Sequence, residues 1–149
     1  MMNLFAIETE MNGKTSTLLS LLDAEAMAHV KNQNAIVGIL KDVAGPISHE
    51  NIIYNPAFID FFHKTMLVFA EFTSGTHLSQ TQGFMYLVDE RCTTPEKPEQ
   101  KDIIGSFEVS AGILLQDTYV PNVNYQFISH QGLFKLPAQI ERVLFMALV

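Results

Sequence analysis

The stretch NPAFIDFFHKTMLVFAEF, Asn55 to Phe72, is the longest in the chain with a helical period and a defined start. Asn55 can accept from the free N–H groups of a first turn. Pro56 stands at the first helical position, where its fixed φ helps and its missing N–H is not needed. At 3.6 residues per turn, Phe58, Phe61, Phe62, Thr65, Met66, Phe69 and Phe72 share one wide apolar face, with Asp60, Lys64 and Glu71 opposite. Each large apolar side chain buried there contributes about 1.5 to 3 kcal/mol, so this helix is expected to organise the core. Leu67 and Val68 fall on or beside the polar side. A neighbouring element covers them, the commoner outcome, or they form a subunit contact, which makes them the candidate interface residues.

Upstream, Ala35–Lys41 (AIVGILK) reads as a short buried strand with Gly38 at a close approach, and Asp42–Tyr54 as a loop with a Gly45-Pro46 turn. Asn12-Gly13, between LFAIETEM and KTSTLLSL, signals a hairpin, because both central residues of a type I′ turn need φ > 0. Residues 15–32 admit a strand followed by a helix from Asp23 to about Asn32, or one helix from about Thr17. Downstream, TSGTHLSQTQG is a polar connection with room for a helical turn, Phe84–Arg91 reads as a central strand, and TTPEKPEQK (Thr93–Lys101) as a solvated loop. The clearest hairpin is DIIGSFEV, a Ser110-Ala111-Gly112 turn and ILLQDTYV, ended by Pro121. YQFI reads as an edge strand. LPAQIERVLFMALV reads as a C-terminal helix with Ile140, Val143, Leu144 and Leu148 on one face. No internal repeat is visible in the letters. Hairpins with isolated helices predict an α+β fold: an antiparallel sheet built from hairpins, with the long central helix and the C-terminal helix packed on one face of a single domain, 1–149.

A chain of 149 residues can bury a sizeable core without disulfide or metal. No apolar run approaches the length of a membrane span, and MMNLFAIETE lacks the positive start of a secretory leader. The lone Cys92 fits a reducing compartment, so cytoplasm is the expected location. Nine Lys and Arg against 16 Asp and Glu give a formal charge of −7, which works against a nucleic-acid partner and suits a basic one.

Specific chemical motifs are absent from the sequence: there is no phosphate loop, nucleophile elbow, H-E-x-x-H or C-x-x-C. His63 lies at the boundary of the long helix's two faces and is more often structural than a base. It has no metal partner at i+4, where Leu67 stands, and His29, His49, His77 and His130 are scattered. No metal and no cofactor are expected. Asp89-Glu90-Arg91-Cys92 is the densest polar cluster, most simply a strand end entering solvent with a salt bridge worth under about 1 kcal/mol. Cys92 would need a base to act as a nucleophile. Glu108 and Asp117, on paired strands, could form an acid/base pair. Tyr119, Asn122 and Asn124 surround Pro121, where Asn side chains commonly make local turns.

NPAFIDFFH, DIIGSFEV and TYVPNVN, read in that order and followed by GLFKLP, are similar to the N-P-x-F-x-x-F-x-H, D-I-I-G-x-F-E-V and Y-x-P-N-x-N motifs of a group of short, uncharacterised bacterial proteins. The resemblance covers about residues 35 to 145. It implies bacterial origin and a single domain, and brings no activity. The resulting expectation is a non-enzymatic, cytoplasmic binding or protein-interaction domain, a homodimer through an apolar surface. The alternative is a small enzyme or small-molecule carrier with a pocket between sheet and long helix, its candidate ligand-binding residues being His63, Asp89, Arg91, Glu108, Tyr119, Asn122 and Asn124.

Overall fold

The computed structural model describes residues 2–72 and 82–149. The polar connection expected between Thr73 and Gly83, with His77, lies almost wholly outside the described residues. The fold is α+β, built from antiparallel hairpins with helices packed between and beside them, and its strands divide into two main sheets and a two-stranded ribbon. Strands β1 (Phe5–Met11), β2 (Lys14–Ser20), β3 (Ile36–Leu40) and β4 (Ile52–Tyr54) form a four-stranded meander. Strands β5 (Gln82–Val88), β6 (Ile103–Ser110) and β7 (Ile113–Pro121) form a three-stranded one, and β8 (Ile128–Ser129) pairs with β9 (Gly132–Leu133). The helices are α1 (Ala24–Val30), α2 (Pro56–Met66), α3 (Val68–Phe72) and α4 (Ala138–Leu148).

Local chemistry accounts for most element ends. Met11 pairs with Lys14 across Asn12 and Gly13, both at positive φ, as the type I′ reading requires. The second hairpin closes in two residues, not three, because Ala111 also takes a positive φ and Ser110 pairs with Ile113. Asp23 caps α1 through Ala26 N–H, which settles residues 15–32 as strand then helix. The long helix is interrupted at Leu67, so Asn55–Phe72 forms α2 and α3. Asn55 caps α2 from Ala57, and Phe58, Phe62, Thr65 and Met66 are buried beneath it. The Phe62 ring lies 4.9 Å from Phe127, 5.1 Å from Phe134 and 5.8 Å from Tyr125, so α2 supplies the aromatic centre of the core. From α4, Ile140, Leu144 and Leu148 are buried, and Asn32 donates to the last carbonyls, Ala147 and Leu148.

Two expectations need correction. Residues within Asp42–Tyr54, read as loop, supply strand β4. The Phe84–Arg91 strand is an edge strand that stops at Val88, with β6 central in its sheet.

The register reveals a repeat that the letters hide. In the first half Leu19 pairs with Gly38 and Gly38 with Tyr54, with a register shift after Leu19. In the second, Leu87 pairs with Gly105 and Gly105 with Pro121, with a shift after Leu87. The entry turns match as well: Leu21 N–H donates to Ala35 C=O at 2.9 Å, and Asp89 N–H to Asp102 C=O at 2.8 Å. Asn55 Nδ2 donates to Gln33 and Ile36 carbonyls, Asn122 Nδ2 to Gln100 and Ile103 carbonyls, with separations of 22 and 19 positions in both cases. Each Asn also donates its own N–H to a strand carbonyl, Val37 or Ile104, and accepts from the residue two further on. At this constant offset Gln33, Ile36, Gly38, Ala44, Gly45 and Asn55 are identical to Gln100, Ile103, Gly105, Ala111, Gly112 and Asn122. The two meanders are built on one plan.

Candidate functional site

The seven polar residues singled out from the sequence fall into separate places. Asp89 and Arg91 are buried, at 1% and 8% exposure, which corrects the expectation of a solvated strand end. β5 stops at Val88, and the following turn is tucked under residues 125–135. There Arg91 Nη2 lies 2.9 Å from Asp89 Oδ2 and donates to Gln126 C=O at 2.6 Å, while Nη1 donates to Gly132 C=O at 2.6 Å and Ser129 Oγ at 3.1 Å. Asp89 accepts further bonds from Tyr125 O–H, Arg91 N–H and Lys135 N–H. Burial, with the Asp89 charge alongside, pushes the Tyr125 hydroxyl well above its ordinary pKa, so it serves as a permanent donor. This network ties the β8–β9 ribbon to the end of β5. Apart from Arg91 Nε, which is buried without a partner, its groups are spent on one another, on Ser129 Oγ and on backbone carbonyls.

His63 and Tyr119 do meet. His63 Nδ1 lies 2.7 Å from the Tyr119 hydroxyl, joining α2 to β7. Burial lowers His63 to a pKa of about 4, against a smaller opposing pull from Asp60, and burial raises Tyr119. Near neutral pH the imidazole is therefore neutral and the phenol protonated, a geometry in which Tyr119 donates and His63 Nδ1 accepts. Tyr119 lies flat against β6 because Gly105 leaves room: a Cβ there would stand 2.6 Å from its hydroxyl. An open depression of about 340 Å³ covers this pair, with Lys64, Leu67, Gln116 and Asp117 among its walls.

Glu108 is exposed on the outer face of β6, and its N–H donates to Thr118 Oγ1 across a bulge that carries Asp117 out of direct register with it. Asn122 is consumed by the backbone staple described above, and Asn124 by the turn that staple makes. Leu67 packs partly against the core, and its carbonyl accepts from Ala70 N–H at 3.2 Å and from Gln116 Nε2 at 3.1 Å; Val68 is half-buried beside it. Cys92 is a half-buried free thiol, 4.0 Å from Thr94 Oγ1. Among the described residues no three His, Cys, Asp or Glu side chains converge as metal ligands would, and no helix is long and apolar enough to cross a membrane.

Sequence reasoning missed the surface with the clearest chemical character. Directly paired residues share a sheet face. Ile7 pairs with Leu18, Leu18 with Ile39 and Ile39 with Ile53, giving one aliphatic row across all four strands. None of the four belongs to the buried core; Ile7, Leu18 and Ile39 are half-buried and Ile53 is 57% exposed. In the opposite row, Ala6–Leu19–Gly38–Tyr54, Leu19 and Gly38 are buried and Tyr54 meets Phe127, while Ala6 on the edge strand is exposed. Phe5–Ser20–Ile36 follows the outer row on one side, with Ser20 fully buried, and Thr9–Ser16 on the other, where the exposed Lys41 stands two residues beyond Ile39. The equivalent row of the second meander is Tyr86–Ser106–Val120, with Tyr86 56% and Val120 58% exposed. Alternation within AIVGILK could have signalled the outward Ile39, but the partners that make a row come from strands distant in sequence. No protein family matches this sequence, and neither a curated protein nor a solved structure shows significant similarity to the chain.

Proposed function

We propose that this chain is a non-enzymatic protein-interaction domain that self-associates weakly through the outer face of its four-stranded sheet. The observation that carries the reading is the row Ile7–Leu18–Ile39–Ile53, aliphatic on every strand, with Lys41 the charged side chain at its margin. A chain of formal charge −7 resists apposition of most of its surface to a copy of itself, and a face without carboxylates is where that resistance is least. Dispersal of the polar candidates into a buried network, a backbone staple and an exposed strand position also favours binding over catalysis. The area sets the strength. Rows of four, three and two paired residues cover at most about 19 by 14 Å, on the order of 300 Å² per copy or less, so two apposed faces stay below the roughly 1,200 Å² of standard complexes. The dimer is therefore weak, with Kd on the order of 10–100 µM. Sedimentation velocity across a concentration series tests this. Self-association should appear in that range and vanish in Ile53→Glu, an exposed position at which the fold is retained; a parent chain that stays monomeric, or an Ile53→Glu chain that dimerises equally, overturns the reading.

A second reading, a small-molecule carrier, rests on the His63–Tyr119 pair beneath the depression between α2 and β7. It requires a ligand whose binding is lost in both His63→Ala and Tyr119→Phe.

A further inference from the structure

The two meanders provide an internal control. In the first, the entry turn is made by Leu21 and Ala35, both buried and apolar. In the second the same backbone bond joins Asp89 and Asp102, also buried. The scaffold is thus satisfied by hydrocarbon at these two positions, and the carboxylates are additions to it. Asp89 is explained by Arg91 and Tyr125. Asp102 is not: it is 4% exposed, and its Oδ1 has no hydrogen-bond partner. Leaving a carboxylate oxygen buried and unmatched costs about 1–3 kcal/mol or more; Arg91 Nε is likewise buried without a partner, but Asp102 also lines an open depression through which a donor can approach its carboxylate.

Asp102 forms part of the wall of an open depression of about 420 Å³, shared with Glu50, Glu99, Lys101, Gln126 and His130. Lys101 Nζ contacts His130 Nδ1 at 3.2 Å, an arrangement in which His130 accepts as a neutral ring, and lies 3.8 Å from Glu99. Three carboxylates against one ammonium leave the depression net negative. Its acidic groups stand too far apart to converge on a metal ion. They suit a cation that is broad and carries several donors, and a planar guanidinium is the group whose donors fan out to separated oxygens.

We infer that the depression around Asp102 binds an organic cation, an alkylguanidinium or alkylammonium group, with the Asp102 carboxylate as its anchor. Glu50 and Glu99 supply the field, and Gln126 lines the same depression. The site lies apart from the outer face of the four-stranded sheet, so it stands or falls independently of self-association.

The test is a ¹H–¹⁵N correlation titration of the full chain with butylguanidinium chloride, against N-butylurea as the neutral isostere and sodium chloride at equal ionic strength. Saturable shifts confined to the amides around Thr94, Asp102, Gln126 and Gln131 are expected with the cation alone. They should weaken about tenfold in Asp102→Asn, the effect of losing one charge-assisted hydrogen bond, and persist in Ile53→Glu. Equal shifts with N-butylurea, or an unchanged affinity in Asp102→Asn, overturn the inference. Should Asp102→Asn fail to fold, the exposed Glu50→Gln serves: a weakened guanidinium titration with an unchanged melting curve supports the site, and an unchanged titration overturns it. Acetyl-Gly-Gly-Arg-Gly-Gly-amide then assigns the source. Binding as tight as butylguanidinium marks a basic side chain of a partner protein, and exclusion of the peptide marks a free small cation.

Discussion

Replacing Arg91 by Met should be the most damaging single polar-to-apolar change in the described chain. The guanidinium is 8% exposed and is held by the Asp89 carboxylate and the carbonyls of Gln126 and Gly132. Methionine fills part of the volume but strands Asp89 as a buried anion. Breaking a buried pair from one side costs about 3–5 kcal/mol. The lower half applies here, because Tyr125 O–H, Arg91 N–H and Lys135 N–H still solvate the carboxylate. The orphaned carbonyls of Gln126 and Gly132 return the sum toward the upper half. At about 2–4 °C per kcal/mol for a chain of this size, Tm should fall by roughly 10–15 °C. Urea unfolding followed by circular dichroism reads the same loss as a lowered midpoint at constant m. Asp89→Leu together with Arg91→Met should recover at least half of it, since Leu21 occupies the matching position of the first meander at 2% exposure. A loss below about 1 kcal/mol for Arg91→Met would refute the argument, because that is the worth of a solvated surface pair.

Stability should also depend on His63. Its folded pKa of about 4 lies below the unfolded value near 6.5, so the unfolded chain binds the proton more readily, and stability falls as pH drops through that window. With the solvent screening of a half-exposed group allowed for, the loss is about 1–2 kcal/mol; the difference between parent and His63→Gln across pH 7 to 4 isolates it, and parallel curves would show that His63 does not titrate this way. At Gly38 a methyl group would stand 2.5 Å from the Ile53 carbonyl oxygen and 2.9 Å from Ile52 Cγ2. Gly38→Ala should therefore displace β4 and cost about 1–3 kcal/mol, read as a lower urea midpoint, whereas Gly13→Ala meets no atom within 4 Å and strains only the turn.

The local half of this fold was legible and the non-local half was not. Asn12-Gly13, the Asp23 and Asn55 caps, Gly38 and the Gly112 turn are decided by a few neighbouring residues, and each stands where its local chemistry puts it. β4 was hidden because three residues, Ile52–Tyr54, carry no period, and they form a strand only because β3 offers them a ladder. The helix break at Leu67 was hidden for a similar reason: beside the local Ala70 N–H, the Leu67 carbonyl takes a second donor from Gln116, a residue 49 positions away. At the candidate sites His63 and Tyr119, named without a pairing from the sequence, meet across α2 and β7. Asp89 and Arg91 were misjudged because burial of a charged pair depends on the segment 125–135 folding over it, which no local pattern encodes.

Duplication separates what the scaffold needs from what has been placed on it. Asn122, beside Pro121, invited a ligand-binding reading, yet Asn55 makes the same two carbonyl bonds at the same two separations in a meander with no such corner. Its chemistry is thus the staple's, and Asn122→Ala should cost stability as Asn55→Ala does. Gly38 and Gly105 likewise share a place in the register, though each gives way to a different neighbour, β4 in one case and the Tyr119 ring in the other. Where the halves diverge, the divergence is chemical: buried Ile52 in the first meander stands where Tyr119 meets His63 in the second, and Leu21 and Ala35 stand where Asp89 and Asp102 do. Hydrocarbon is the less demanding occupant of a buried site, since it needs no partner. Polar groups kept in its place at three matching positions, one still lacking its donor, mark the second meander as the half in which a recognition surface has been built.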